Sequence, residues 1–166
     1  MRVLITDGLE AEAIASLKKT HEVDVAEVDA NQLLERISAY HALIVRGRTK
    51  VTKDVLAKAV NLKVVGRAGV GVDNIDVDEA SARKVIVVNA PTASTVSVAE
   101  LAIGHMISWC RFLPTADKSI KEGKWEKKQF EGHEIYGKTL GLIGSGRIGA
   151  EVAKRAQAFG MRVIAF

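Results

Sequence analysis

The stretch Thr139-Leu140-Gly141-Leu142-Ile143-Gly144-Ser145-Gly146-Arg147-Ile148-Gly149 decides how this chain is read. An apolar run from Leu140 to Ile143 stops at a G-x-G-x-x-G turn. A helical pattern follows from Arg147 to Phe159, then a second apolar run from Met161 to Phe166. Strand, glycine turn, helix and strand, in that order, is the context in which such a turn holds a dinucleotide. Gly144 serves the tight turn, Gly146 the approach of a pyrophosphate, and Gly149 the close packing of helix on strand. The helix N-terminus adds free N–H groups and a partial positive charge. An acidic residue for the ribose hydroxyls is expected at the end of the second strand, just beyond Phe166.

The residues before this turn repeat the alternation of strand and helix. Apolar runs at Val3–Thr6, Val23–Ala26, Ala42–Val45, Leu62–Val65 and Val85–Val88 are separated by helical patterns. Asp7 with Glu10, and Asp76 with Glu79, have the spacing of capping boxes, and Thr52 is placed to cap a helix carrying Val55, Leu56 and Ala59. Strands that are continuous apolar runs, alternating with helices, predict an α/β doubly wound parallel sheet over residues 1–93. Residues 94–166 then form a second domain. Ser97 with Glu100 is expected to cap its long helix, which runs to Phe112 before Pro114. Apolar residues on nearly every face of that helix predict burial against another domain or subunit.

Bulk properties narrow the function. The 166 residues carry a net charge of +4, which suits an anionic small molecule as well as nucleic acid. Lys121, Lys124, Lys127 and Lys128 surround Trp125, but no stacking platform accompanies them, so a solvated surface segment is the reading and no nucleic acid is expected. Cys110 is the one cysteine, which rules out an internal disulfide framework. His21, His41, His105 and His133 lack metal-ligand spacing, so no metal is expected. The N-terminus does not resemble a secretory signal, and Val98–Leu113 is too short and too interrupted to span a bilayer. A cytoplasmic protein without a membrane partner is expected.

Ligands of open α/β sheets bind outside the carboxyl ends of the strands. Two segments there are unusual. Arg46-Gly47-Arg48-Thr49-Lys50 follows the third strand, and Arg67-Ala68-Gly69-Val70-Gly71 follows the fourth. Arginines bring bidentate forks and glycines allow an N–H nest, a combination suited to a small acid with one or two anionic groups.

Several stretches together resemble the D-isomer-specific 2-hydroxyacid dehydrogenases. They are Gly66-Arg67-Ala68-Gly69-Val70-Gly71-Val72-Asp73-Asn74-Ile75-Asp76, Asn89-Ala90-Pro91 and Ser97-Val98-Ala99-Glu100-Leu101. Val45-Arg46, Thr49-Lys50-Val51, Gly123-Lys124-Trp125-Glu126 and Gly137-Lys138-Thr139-Leu140-Gly141 point to the branch that oxidises D-3-phosphoglycerate to 3-phosphohydroxypyruvate with NAD, opening serine biosynthesis. The resemblance implies a flavodoxin-like substrate domain followed by the first βαβ unit of a Rossmann nucleotide-binding domain. It implies that Arg46, Arg67 and the backbone of Gly69, Val70 and Gly71 hold the substrate's phosphate and carboxylate. Val70 would sit beside the nicotinamide, with Gly144, Ser145, Gly146, Arg147, Ile148 and Gly149 on the pyrophosphate. The helix from Ser97 to Phe112 would form a homo-oligomer interface.

Val70 departs from the threonine common in relatives, and Ser94 from the asparagine of some. The family's catalytic histidine, its carboxylate partner and its substrate-binding arginine lie downstream of the second nucleotide-domain strand. The chain is therefore expected to be the N-terminal portion of an enzyme and inactive alone. A glyoxylate or hydroxypyruvate reductase is the near alternative; a non-catalytic binding or assembly module is the alternative of another class.

Overall fold

The computed structural model describes every residue from Met1 to Phe166 and divides the chain into two units, Met1–Ala93 and Ser94–Phe166. The first unit runs β1 (Arg2–Ile5), α1 (Ala11–Lys18), β2 (Glu22–Val25), α2 (Ala30–Arg36), β3 (Ala42–Val45), α3 (Lys53–Lys58), β4 (Val64–Arg67), α4 (Val77–Ala82) and β5 (Ile86–Asn89). A 3₁₀ turn over Ile37–Ala39 extends α2. The strands form one parallel sheet of order β2-β1-β3-β4-β5. The order reverses between β1 and β3, the place where a doubly wound sheet opens a crevice at its carboxyl edge.

Alternation along each strand sends side chains to two cores. Leu4, Leu43, Val45 and Val65 face Leu33, Ile37, Val55 and Leu56 on one side of the sheet. Val3, Ile5 and Ala42 face Leu9, Ile14 and Leu17 on the other. Leu4, Leu43, Val45 and Val65 are wholly buried, and each such side chain contributes about 1.5–3 kcal/mol. The first face holds the larger cluster of buried side chains, and α1 on the second carries no fully buried residue.

Strand ends shift from the sequence expectation, by one residue at β1, β2 and β5 and by two at β4. The fourth strand is displaced from Leu62–Val65 to Val64–Arg67. Leu62 N–H is held by Ala59 O at 3.0 Å in the turn that ends α3. Gly66 and Arg67 instead pair with Ile44 and Val45 on one side and with Val88 and Asn89 on the other. A central strand gains ladder bonds on both sides, and that extends it through a glycine. Arg67 thus closes the strand and does not lie in the loop after it.

The Asp7–Glu10 capping box does not form. Glu10 caps α1 without a side-chain bond, and the Asp7 carboxylate is bound to the loop after β3. The Asp76 box is half made. Asp76 accepts from Glu79 N–H at 3.0 Å, while the Glu79 carboxylate pairs with Arg83 at 2.6 Å.

The second unit contains α5 (Thr95–Cys110), α6 (Leu113–Lys121), β6 (Thr139–Leu142), α7 (Arg147–Ala158) and β7 (Arg162–Ala165). Strands β6 and β7 pair in parallel and are joined by α7, which makes a βαβ unit. Its core joins α5 to α7 through Ala99, Ile103, Val152, Ala156 and Met161. The expected Ser97–Glu100 cap is absent, because α5 begins at Thr95. Ser97 Oγ donates to Ser94 O at 3.1 Å, and Glu100 pairs with Arg155 at 3.6 Å. Within this chain α5 is covered on one face only. Only Ala99 and Ile103 are buried, while Leu101 is 60% and Trp109 84% exposed. No single helix is long and apolar enough to cross a membrane.

Candidate functional site

The first unit's candidate site lies where β1, β3 and β4 end. Its organising group is Asp7, whose side chain is only 4% exposed. Asp7 Oδ2 accepts from the N–H groups of Arg46 at 2.8 Å, Thr49 at 3.0 Å and Arg48 at 3.1 Å. Oδ1 accepts from Thr49 Oγ1 at 2.5 Å and lies 3.5 Å from Arg48 Nε. Burial opposes ionisation of this carboxyl, but the bonds from Thr49, Arg46 and Arg48 outweigh it, and the pKa falls below its ordinary 3.8.

A depressed carboxylate pKa stabilises the fold above the ordinary value, and that contribution disappears as pH falls through the folded value. Thermal melts between pH 6 and pH 3 should therefore show the melting temperature of the wild type falling steeply below about pH 4. The gap to Asp7→Asn should begin to narrow below about pH 4 and go on narrowing as pH falls. A constant gap would show that Asp7 contributes nothing through its charge.

The arginines of the two segments separate by their partners. Arg48 is engaged: it lies 3.2 Å from Glu27, near Asp7, and donates from Nη2 to Thr6 O at 2.8 Å. Arg46 is exposed and has no carboxylate partner. Its peptide groups are nevertheless held on both sides, the N–H by Asp7 and the C=O by Asn74 Nδ2 at 2.9 Å. Arg67 also lacks a carboxylate partner, and its buried Nε has no hydrogen-bond acceptor. Its guanidinium passes between Gly47 and Gly69. A Cβ at Gly47 would lie 3.8 Å from Nη2, and a Cβ at Gly69 would overlap the guanidinium outright.

The loop after β4 supplies backbone donors. Ala68 N–H bonds Val45 O at 2.8 Å and Gly69 N–H bonds Arg67 O at 2.8 Å, but the N–H groups of Val70, Gly71 and Val72 have no acceptor in the chain. Asn89 Nδ2 donates to Val70 O at 2.6 Å, and Asn74 Nδ2 also donates to Thr49 O at 2.7 Å. Two cations without carboxylate partners beside free N–H groups form an anion-binding surface. Asp7, Asn74 and Asn89 hold these loops in place, a part that sequence reasoning did not assign them. Their polar character at or beyond the carboxyl ends of the strands was the signal available.

The second unit holds the glycine turn. Gly144 has φ 98°, a conformation that favours glycine, and its N–H donates to Phe166 O at 2.8 Å. A Cβ on Gly149 would overlap Gly144 O, so the helix is seated directly on the turn. Nothing lies within 4 Å of a Cβ at Gly146, which leaves that backbone open to a ligand. Helix bonding begins with Ala150 N–H to Gly146 O at 2.9 Å, so the N–H groups of Arg147, Ile148 and Gly149 remain without acceptors. Gly146 caps α7 without a side-chain bond. Open backbone, free N–H groups and the positive end of a helix of 12 residues fit a pyrophosphate.

Together, a doubly wound sheet with an anion-binding carboxyl edge and a βαβ unit with a dinucleotide-type turn define a nucleotide-linked α/β enzyme class. Comparison with known proteins makes this specific. The sequence pattern described as D-isomer specific 2-hydroxyacid dehydrogenase, catalytic domain, matches residues 3–163. The chain is 53% identical to D-3-phosphoglycerate dehydrogenase of Methanocaldococcus jannaschii over 167 residues, covering all of this chain and 32% of that protein. It is 48% identical to hydroxypyruvate reductase of Thermotoga maritima, covering 99% of this chain and 55% of that protein.

The fold superposes on a crystal structure of a Thermus thermophilus protein with a TM-score of 0.93 at 34% identity, over 99% of this chain and 55% of the other. It superposes on Aquifex aeolicus D-lactate dehydrogenase, solved with NAD and lactic acid, with a TM-score of 0.86 at 27% identity, over 98% and 50%. The chain belongs to the D-isomer specific 2-hydroxyacid dehydrogenase family, a family of oxidoreductases. It spans about a third of the length of the phosphoglycerate dehydrogenases it matches.

Proposed function

We propose that the chain is the N-terminal portion of a cytoplasmic NAD-dependent dehydrogenase that oxidises D-3-phosphoglycerate to 3-phosphohydroxypyruvate, the first step toward serine. One observation carries this reading: Arg46 and Arg67 have no carboxylate partner beside the free N–H groups of Val70 and Gly71. A phosphorylated 2-hydroxy acid has a phosphate and a carboxylate to satisfy both kinds of donor. Arg46 and Arg67 take one anionic group each in bidentate fashion. The free N–H groups of Val70 and Gly71 orient the carboxylate end, while Gly69, whose own N–H is bonded to Arg67 O, shapes the turn. NAD, present with the D-lactate dehydrogenase relative, supplies the hydride acceptor. In this chain Gly144, Ser145, Gly146, Arg147, Ile148 and Gly149 would hold its pyrophosphate.

The Thermotoga maritima relative gives weight to a second reading, reduction of hydroxypyruvate. The full-length enzyme should therefore be assayed by NADH formation with 3-phosphoglycerate and, in reverse, with hydroxypyruvate and its phosphate ester. Preference for the phosphorylated acids supports the first reading; preference for the free acid overturns it in favour of the second. No turnover with any of them would leave a binding module. Residues 1–166 alone are the control, with no turnover expected for want of a partnered histidine base.

We also propose that a second copy of the chain covers the exposed face of α5. That face carries Leu101 and Trp109, and a cavity of about 750 Å³ lies beside it, lined by Ala102, Met106, Trp109, Phe112 and Pro114. Large apolar surface left in water favours association. Sedimentation should find a dimer of the enzyme. Leu101→Glu with Trp109→Glu should convert it to a monomer, and a dimer that survives both changes would place the interface elsewhere.

A further inference from the structure

We infer that Asp7 is a positioning residue for substrate binding, acting through Arg46. The inference rests on the reading of Arg46 and Arg67 as the substrate's anchors. Asp7 follows β1 at the point where the strand order reverses, so it meets the loop after β3 across a sequence distance of about 40 residues. Three N–H groups of that loop converge on a single oxygen, Oδ2. The loop is thus folded around a buried carboxylate, not merely anchored at its ends.

Two consequences follow for the ligand. First, the carboxylate decides which arginine is available. Arg48 is drawn toward Asp7 and Glu27 and onto Thr6 O, which leaves Arg46 as the unpaired arginine of the loop. Arg48 in turn offsets the negative charge of Asp7, which would otherwise repel an anionic substrate. Second, the peptide groups on either side of the Arg46 Cα are held by Asp7 and Asn74. Only the Arg46 side chain then loses freedom on binding, and such preorganisation shows as affinity.

An amide cannot replace this carboxylate. It presents one oxygen where both are used, and it turns an NH₂ group toward donors that need an acceptor.

The test is a mutant cycle in the full-length enzyme, Asp7→Asn and Arg46→Ala singly and together, read as KM for 3-phosphoglycerate, KM for NAD and kcat. Asp7→Asn should raise KM for 3-phosphoglycerate about tenfold or more, with kcat and the NAD KM within about twofold of wild type. In the Arg46→Ala background the same change should add less than about threefold.

Thr49→Val keeps the side-chain shape and removes the hydroxyl contacts to Asp7 Oδ1 and to the buried Thr6 Oγ1. As a second variant with the carboxylate intact, it is checked by its melting temperature beside Asp7→Asn. It should raise the same KM about threefold. Additive effects across the cycle, or parallel loss of NAD affinity, would overturn the inference while leaving Arg46 as an anchor. A wild-type KM in both Asp7→Asn and Thr49→Val would do so too. If Arg46→Ala itself leaves KM unchanged, the reading of the substrate site fails first.

Discussion

Replacing Arg67 with methionine in the full-length enzyme is expected to lower kcat/KM for 3-phosphoglycerate by about a hundredfold or more, with folding intact. The magnitude follows from the surroundings. Arg67 ends a central strand, its Nε is buried without an acceptor, and no carboxylate in the chain offsets its charge. An anion that bonds a partly buried guanidinium with an orphaned Nε contributes more than one at an exposed arginine. Methionine keeps most of the stem and removes the charge, so melting temperature should hold or rise. Arg67→Lys should recover little, because an ammonium cannot reproduce the planar fork.

Gly69 gives a sharper version of the same test. A Cβ there overlaps the Arg67 guanidinium and nothing of the backbone. Gly69→Ala should therefore displace the end of a flexible side chain, costing little stability while raising KM for the phosphorylated acid. Equal KM values for wild type, Arg67→Met and Gly69→Ala would remove Arg67 from the substrate site.

The architecture was legible because each strand is an apolar run and each helix keeps its own period, as at Leu33 and Ile37 or Val55 and Leu56. Strand ends were less so. Leu62 is as apolar as any strand residue, yet a turn bond to Ala59 claims it, and the ladders on both sides carry β4 on through Gly66. Periodicity records which residues are apolar, not where a hydrogen-bond ladder stops.

Within the candidate site, the glycine turn and the two arginine-bearing segments could be found from residue type and spacing. The family resemblance singled out Arg46 and Arg67, but residue type and spacing gave no physical reason for passing over Arg48. That reason lies in Asp7 and Glu27, which are remote in sequence and brought to the loop only by the order of strands in the sheet. Asp7 also matched a local capping pattern with Glu10, and that local explanation hid the long-range one. The all-round apolarity of α5 had the reverse character. The chain by itself covers one face through Ala99 and Ile103 and leaves Trp109 in solvent.

Alanine at two positions of the glycine turn should separate cofactor binding from folding. At Gly146 the backbone has φ −69° and ψ −165°, which any residue adopts, and a Cβ meets no protein atom within 4 Å. Gly146→Ala should melt within about 2 °C of wild type. Its added methyl nevertheless occupies the open backbone where a pyrophosphate must approach, and NAD affinity should fall about tenfold or more.

Gly149 sits in the first turn of α7, where alanine would ordinarily be favoured over glycine by about 1 kcal/mol. Here the sign reverses. The new Cβ overlaps the carbonyl oxygen of Gly144, a backbone atom that cannot rotate away, and Gly144 is itself held at φ 98° and bonded to Phe166. Overpacking against a fixed backbone costs about 1–3 kcal/mol, which outweighs the helical preference. Gly149→Ala should therefore lower the melting temperature by about 2–8 °C and weaken NAD as the turn is displaced. Differential scanning calorimetry, with NAD titrated into each variant, reads both quantities. Equal melting temperatures for the two variants would mean that helix and turn are not in contact at Gly149. Unchanged NAD affinity in Gly146→Ala would mean that the open backbone of the turn is not where the cofactor's phosphates lie.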